Sequence, residues 1–291
     1  MAEHHHHHKS GDNLKLAFFL NLSFTFLEFI GGWWVNSVAI YSDAIHDLGD
    51  SLALGTAWYL DKKSKQDPNK KYTFGYQRFS LLGALINSIV LIVGSIWVVK
   101  EAIERIAQPE ASNASGMLVF ALVGITVNGY AAWKVGHGKS LNERVVSWHL
   151  LEDVLGWVAI LVLAIILQFT DAYYLDPILS LFITLFILWG VFKRLKETLY
   201  IFLQGAPQEI DLDNLKLSLL NIDKVEEIHH THIWTIEGDT SVFTTHIKLK
   251  EIDDYQEIIA TKEKIKNHLK TYNFKHCTLE IELDKEKCSL D

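Results

Sequence analysis

The chain has 291 residues, 49% of them hydrophobic, and a formal net charge of −8. That length suits one large domain or two ordinary ones, and the acidic balance disfavours a nucleic-acid binder. The two cysteines, Cys277 and Cys288, have no CxxC partner, which argues against a disulfide framework.

The first residues, "MAEHHHHHKSG", have no apolar stretch beside their charge, so they do not read as a signal peptide. Residues 1–13 form a His-rich cytoplasmic tail or an expression tag. Long apolar runs then continue to about residue 205, and charged residues dominate beyond it. A membrane part followed by a soluble part is the expected organisation, with a transmembrane domain over 14–204 and a cytoplasmic domain over 205–291.

A helix needs about 20 mostly apolar residues to cross a bilayer. Six stretches meet that need: 14–35, 38–60, 79–103, 115–135, 144–168 and 175–197. Six apolar runs of this length rule out an ordinary soluble bundle. The connector "WWVNS" is short, so the first two spans form a tight hairpin. Trp33, Trp34, Trp58, Tyr59, Tyr173 and Tyr174 lie near span ends, where aromatic rings prefer to sit. The loop "DKKSKQDPNKKYTFGYQR" carries six Lys/Arg, the next loop on that side has Lys134, Lys139 and Arg144, and the last span is followed by Lys193, Arg194 and Lys196. Opposite loops carry almost none; the exception is Arg105, near Lys100. Positive charge marks the cytoplasmic side, so both termini are expected there.

Two spans carry polar groups that apolar helices do not need. Span two contains "SDAIHDLGDSLAL" (42–54) and span five "SWHLLEDVLGWVAILVLAI" (147–165). Each has the spacing His-x-x-x-Asp, which puts both side chains on one helix face. His46 and Asp50 therefore project together, as do His149 and Asp153. The two spans run antiparallel, so the two pairs can meet. Two imidazoles and two carboxylates suit a tetrahedral N/O ion, Zn²⁺ above all. No thiolate or thioether is present to favour Cu(I), and histidine is out of place in a Mg²⁺ or Ca²⁺ site. One charge in a bilayer costs about 2.5–3.5 kcal/mol on insertion scales and can be tolerated for packing. Four polar groups at ligand spacing go beyond that explanation. Asp43 lies one turn nearer the outer mouth, where it guides ions or caps the helix. Asp47 and Glu152 lie on other strips and read as supporting or interhelical partners, as does Glu28 in span one.

Beyond residue 205 the periodicity changes. "DLDNLKLSLLNID" has helical period, while "VEEIHHTHIWTIEG" and "TSVFTTHIKLK" alternate like strands about the turn "EGDT". "DDYQEIIATKEKIKNHLKTYN" is an amphipathic helix and "HCTLEIEL" a last strand. The order αββαβ predicts a ferredoxin-like α+β unit. Alternation puts His230 and His232 on one face and His229 on the other. It also turns His246, Glu280 and Glu282 away from the core and makes Cys277 a core residue.

The segments "SVAIYSDAIHDLGDSLAL" (37–54), "FGYQRFSLLGAL" (74–85), "SLNERVVSWHLLED" (140–153) and "GAP" (205–207) resemble the cation diffusion facilitator family of divalent-metal/proton antiporters. The resemblance covers nearly the whole chain in order, and is closest to the bacterial branch that exports zinc, cobalt and cadmium. It implies a six-helix membrane domain with Zn²⁺ carried by His46, Asp50, His149 and Asp153, proton exchange, and no enzymatic activity. It also implies a homodimer with a metallochaperone-like domain, placed in the bacterial inner membrane. His232, His246 and Glu282 match positions at which members of the family bind metal in that domain. The chain departs from other members in three places: the loop after span two has no histidine, the loop after span four has only His137, and Gln204 replaces an acid before "GAP". Two rival readings are an intramembrane metal-dependent enzyme, for which no HExxH is present, and a membrane metal sensor.

Overall fold

A computed structural model describes residues 8–64, 66–136, 141–272, 274–283, 286 and 288. Side chains are described for these except 8–17, 54, 57, 58, 61, 62, 64, 135, 136 and 141–149. The N-terminal histidines, His137, Lys139 and the side chains of Trp58, Arg144 and His149 therefore lie outside the described residues.

Six long helices come first: α1 (His8–Val35), α2 (Val38–Ser64), α3 (Phe79–Ala107), α4 (Ala114–Gly136), α5 (Leu141–Phe169) and α6 (Leu175–Phe202). Among the described residues, five of these are long and apolar enough to cross a membrane: stretches of α1, α3, α4, α5 and α6. The exception is α2. Its 27 residues are ample for a crossing, but Asp43, His46, Asp47 and Asp50 lower its hydropathy. The outer faces of the helices are apolar and uncovered, with Trp33, Phe169, Phe182 and Trp189 each more than 70% exposed. Such a surface is suited to lipid rather than water.

The chain forms two compact units, residues 1–63 with 82–195, and residues 64–81 with 196–291. In the first, the core gathers Phe24, Val35, Ile40, Met117, Trp157 and Ile160. Trp157 is fully buried, and Gly124 on α4 makes its position possible. A Cβ at Gly124 would lie 2.2 Å from the indole. Trp157 stands four residues after Asp153 on α5, so the α4–α5 packing sets the rotation of the helix that carries that acid.

The second unit holds α7 (Leu212–Leu220), β1 (Val225–Thr235), β2 (Ser241–Leu249), α8 (Tyr255–Leu269) and β3 (Phe274–Leu283), with a 3-10 turn at Lys270–Tyr272. Asp211 caps α7 by accepting from the amides of Asp213 and Asn214, and Asp254 caps α8 by accepting from Glu257. The sheet order is β1-β2-β3, antiparallel then parallel. Leu215, Leu219, Phe243, Ile247, Leu249, Ile265 and Leu269 close its core. The loop between α2 and α3 belongs to this unit. Gln77 accepts from Lys275 and donates to Glu237, Arg78 donates to the Ile236 carbonyl at 3.3 Å, and Phe74 meets His276 edge-on.

Gly124→Ala should lower the melting temperature of the detergent-solubilised protein, because overpacking costs about 1–3 kcal/mol. Gly129→Ala meets only Val154 Cγ2, at 4.0 Å, and should melt near the parent. Tryptophan fluorescence melts compare the two; equal temperatures would show that Trp157 yields without cost.

Candidate metal centres

The first cluster lies in the helical unit. His46 and Asp50 share a face of α2, and His46 Nε2 is 3.5 Å from Asp50 Oδ2. The same nitrogen is 3.7 Å from Asp153 Oδ1 on α5. Ligand atoms of His46, Asp50 and Asp153 all lie within 4.8 Å of one another, close enough to share one ion. One imidazole and two carboxylates leave room for a fourth ligand in a tetrahedral shell. His149, one helical turn from Asp153, lies outside the described side chains.

The cluster borders a cavity of about 690 Å³ that runs along α5 and α6 as far as Arg194. Asp43 and Glu152 also line it. Asp47 is buried and is not among the lining residues. Its carboxyl faces Glu28 on α1, which is also fully buried. Among the described residues neither carboxyl receives a hydrogen-bond donor, and a proton shared between them would join the two. An ionised carboxylate buried without a donor is costly.

The second cluster lies on the sheet. Ligand atoms of His229, His246, Glu282 and Cys288 fall within 4.8 Å of one another. His229 Nε2 is 3.1 Å from Glu282 Oε2, His246 Nδ1 is 2.8 Å from Glu282 Oε1, and Cys288 Sγ is 3.6 Å from His246 Nδ1. Burial pushes the Glu282 carboxyl up, but hydrogen bonds with His246, Cys288 and His229 outweigh it and hold the group below the usual carboxylate range. Two imidazoles, a carboxylate and a thiol fit Zn²⁺ in type and number. Cys277 is half-buried against the core, and burial raises its thiol pKa.

Of the three residues that the resemblance singles out, the structure brings His246 and Glu282 together, with His229 and not His232 beside them. Simple alternation fails here because β1 is bulged. His229 pairs with His246 and His232 with Thr244, so three steps on β1 match two on β2. His230 takes φ 44° and absorbs the extra residue. His229 is thereby turned to the His246 face, while His232 is exposed beside Trp234 and Gln204. Alternation alone gives no sign of the extra residue, so the bulge is seen only in the strand register. Cys288 lies five residues beyond β3, where no periodicity assigns a face.

Residues 14–203 match the family described as the cation efflux transmembrane domain. The chain is 33% identical to the zinc transporter ZitB of Pectobacterium atrosepticum, covering 99% of this chain and 92% of that protein. It is 30% identical to the cadmium, cobalt and zinc/H(+)-K(+) antiporter of Bacillus subtilis, covering 98% and 93%. It is also 30% identical to the metal cation efflux system protein CzcD of Cupriavidus metallidurans, covering 97% and 91%.

His229→Ala should weaken the zinc-induced rise in melting temperature of the unit that holds the sheet, whereas His232→Ala should leave it intact. A site filled at 100 times its dissociation constant adds about 2.7 kcal/mol, enough to read by calorimetry with zinc or chelator. Loss of the shift on changing His232 alone would return that residue to the ligand set.

Proposed function

The chain belongs to the cation efflux family, and from that premise we propose that it exports a divalent metal cation, Zn²⁺ first, from the cytoplasm in exchange for protons. The observation that carries this reading is the convergence of His46, Asp50 and Asp153 beside a cavity walled by apolar helices. His149 completes the shell as fourth ligand. In this reading α2 is the sixth crossing, its low hydropathy being the cost of carrying the ligands. The positive loops and both termini are cytoplasmic, in a bacterial inner membrane. The cavity that reaches Arg194 then opens toward the cytoplasm and loads the site from there.

Proton exchange follows from the donor set. Carboxylate and imidazole bind metal only when deprotonated, so metal release and proton uptake are linked. Histidine titrates in the range where a cell can use it. The names of the relatives support this assignment, since one is a zinc transporter and another an antiporter of cadmium, cobalt and zinc. The sheet cluster takes the same ion as a regulatory ligand, in a ferredoxin-like domain that pairs two copies of the chain. The protein acts as a carrier and not as an enzyme: with His149 as the fourth ligand the shell has no open position for a reacting water, and the sequence contains no HExxH.

Asp50→Ala and Asp153→Ala should each abolish uptake of radiolabelled zinc into sealed inverted vesicles under a pH gradient, with the protein still folded. Zinc flux at the parent rate in either variant would overturn the assignment of the site.

A further inference from the structure

The face of α2 that carries Asp50 and His46 continues one turn on to Ser42. There the metal-binding face becomes a hydrogen-bonded seam with α6. The hydroxyls of Ser42 and Thr184 are 2.8 Å apart and share a hydrogen bond. One turn further, Ser180 donates to the Val38 carbonyl at 3.3 Å. At the start of both helices, Asp176 accepts from Ser37 Oγ at 2.6 Å, from the Val38 amide at 2.7 Å and from the Ala39 amide at 3.4 Å. Asp176, Ser180 and Thr184 recur at four-residue steps along α6, and all three are at least 98% buried.

The seam and the cavity overlap by one turn. Asp43, Phe182 and Ile183 line the open space beside His46 and Asp50, as do residues of α6 from Phe186 to Arg194. Toward the starts of α2 and α6 the described lining goes no further than Asp43 and Phe182, and the seam lies there, with Val98 and Ala102 of α3 grouped with Val38 and Leu181 beside it. We propose that the Ser42–Thr184 hydrogen bond, with the Asp176 cap behind it, is the outer gate: α2 and α6 part along this seam to release the metal. The inference rests on the transport reading above.

The chemistry suits a closure that must open in every cycle. Hydrogen bonds between helices in a membrane are individually weak, so the hydroxyl pair can part in every cycle. The carboxylate cap is stronger, because Asp176 meets the amides and positive end of α2. It sets the register to which the helices return. A seam of interdigitated large side chains would instead have to create and refill a cavity at each turnover.

The test is the double variant Ser42→Cys with Thr184→Cys, in sealed vesicles with zinc as the transported ion. The two Oγ atoms are close enough for the replacing thiols to reach disulfide geometry. Oxidation with copper phenanthroline should form the cross-link, verified by peptide mass. It should stop zinc flux, leave zinc binding from the cytoplasmic side intact, and be reversed by reductant. A cross-linked protein that transports like its reduced form would overturn the gate, as would a cross-link that abolishes zinc binding or fails to form. A second arm needs no transport. In Ser42→Cys, adding Thr184→Val should speed modification by an impermeant thiol reagent from the outer side at least threefold; an unchanged rate overturns the proposal. If even the parent moves no zinc, the transport reading falls and this second arm still decides whether the seam opens.

Discussion

The arrangement depends on the burial of polar groups along α2 inside a unit that is otherwise apolar. A carboxylate in such surroundings needs a donor, a cation or a proton. Asp176 meets that demand at one end by taking two backbone amides and the Ser37 hydroxyl. Ser42 meets it with Thr184. Further along, His46, Asp50 and Asp153 converge, with ligand atoms within 4.8 Å of one another, close enough for one ion to be shared among them.

The positioning of that site comes from apolar contacts. Gly124 lets Trp157 sit flush between α4 and α5, and Phe24 meets the same indole edge-on at 5.7 Å. These contacts orient α5 one turn from Asp153. At the turn between α1 and α2, Arg105 donates to the Asn36 carbonyl and pairs with Glu101, fixing that turn against α3. Asn36 adopts φ 55° there, which a short polar side chain tolerates. The start of α2 is therefore held by Asp176 on one side and by Arg105 on the other.

The sheet unit meets the same requirement in a wetter setting. A single bulge turns His229 toward His246, and Glu282 reaches both. Here the cluster is assembled across three strands and the segment beyond them, so an ion bound there would join residues 59 positions apart in sequence, from His229 to Cys288. An ion bound to the folded state alone would add to the stability that the apolar core supplies.

The sequence by itself determined the long apolar helices, the order of elements in the second unit, and the pairs His46–Asp50 and His149–Asp153. These are local properties: hydropathy and a four-residue step hold along one helix wherever it lies. Only the tertiary structure decided which faces met. That Asp153 approaches His46, that Glu28 faces Asp47, and that Ser42 finds Thr184 142 residues away all depend on helix rotation, which packing sets and local pattern does not. The entry of His229 into the sheet cluster has the same origin: a bulge shifts register by one residue, and one residue is enough to turn a strand side chain to the other face. His232 stays outside the cluster because it pairs with Thr244, two residues along β2 from His246.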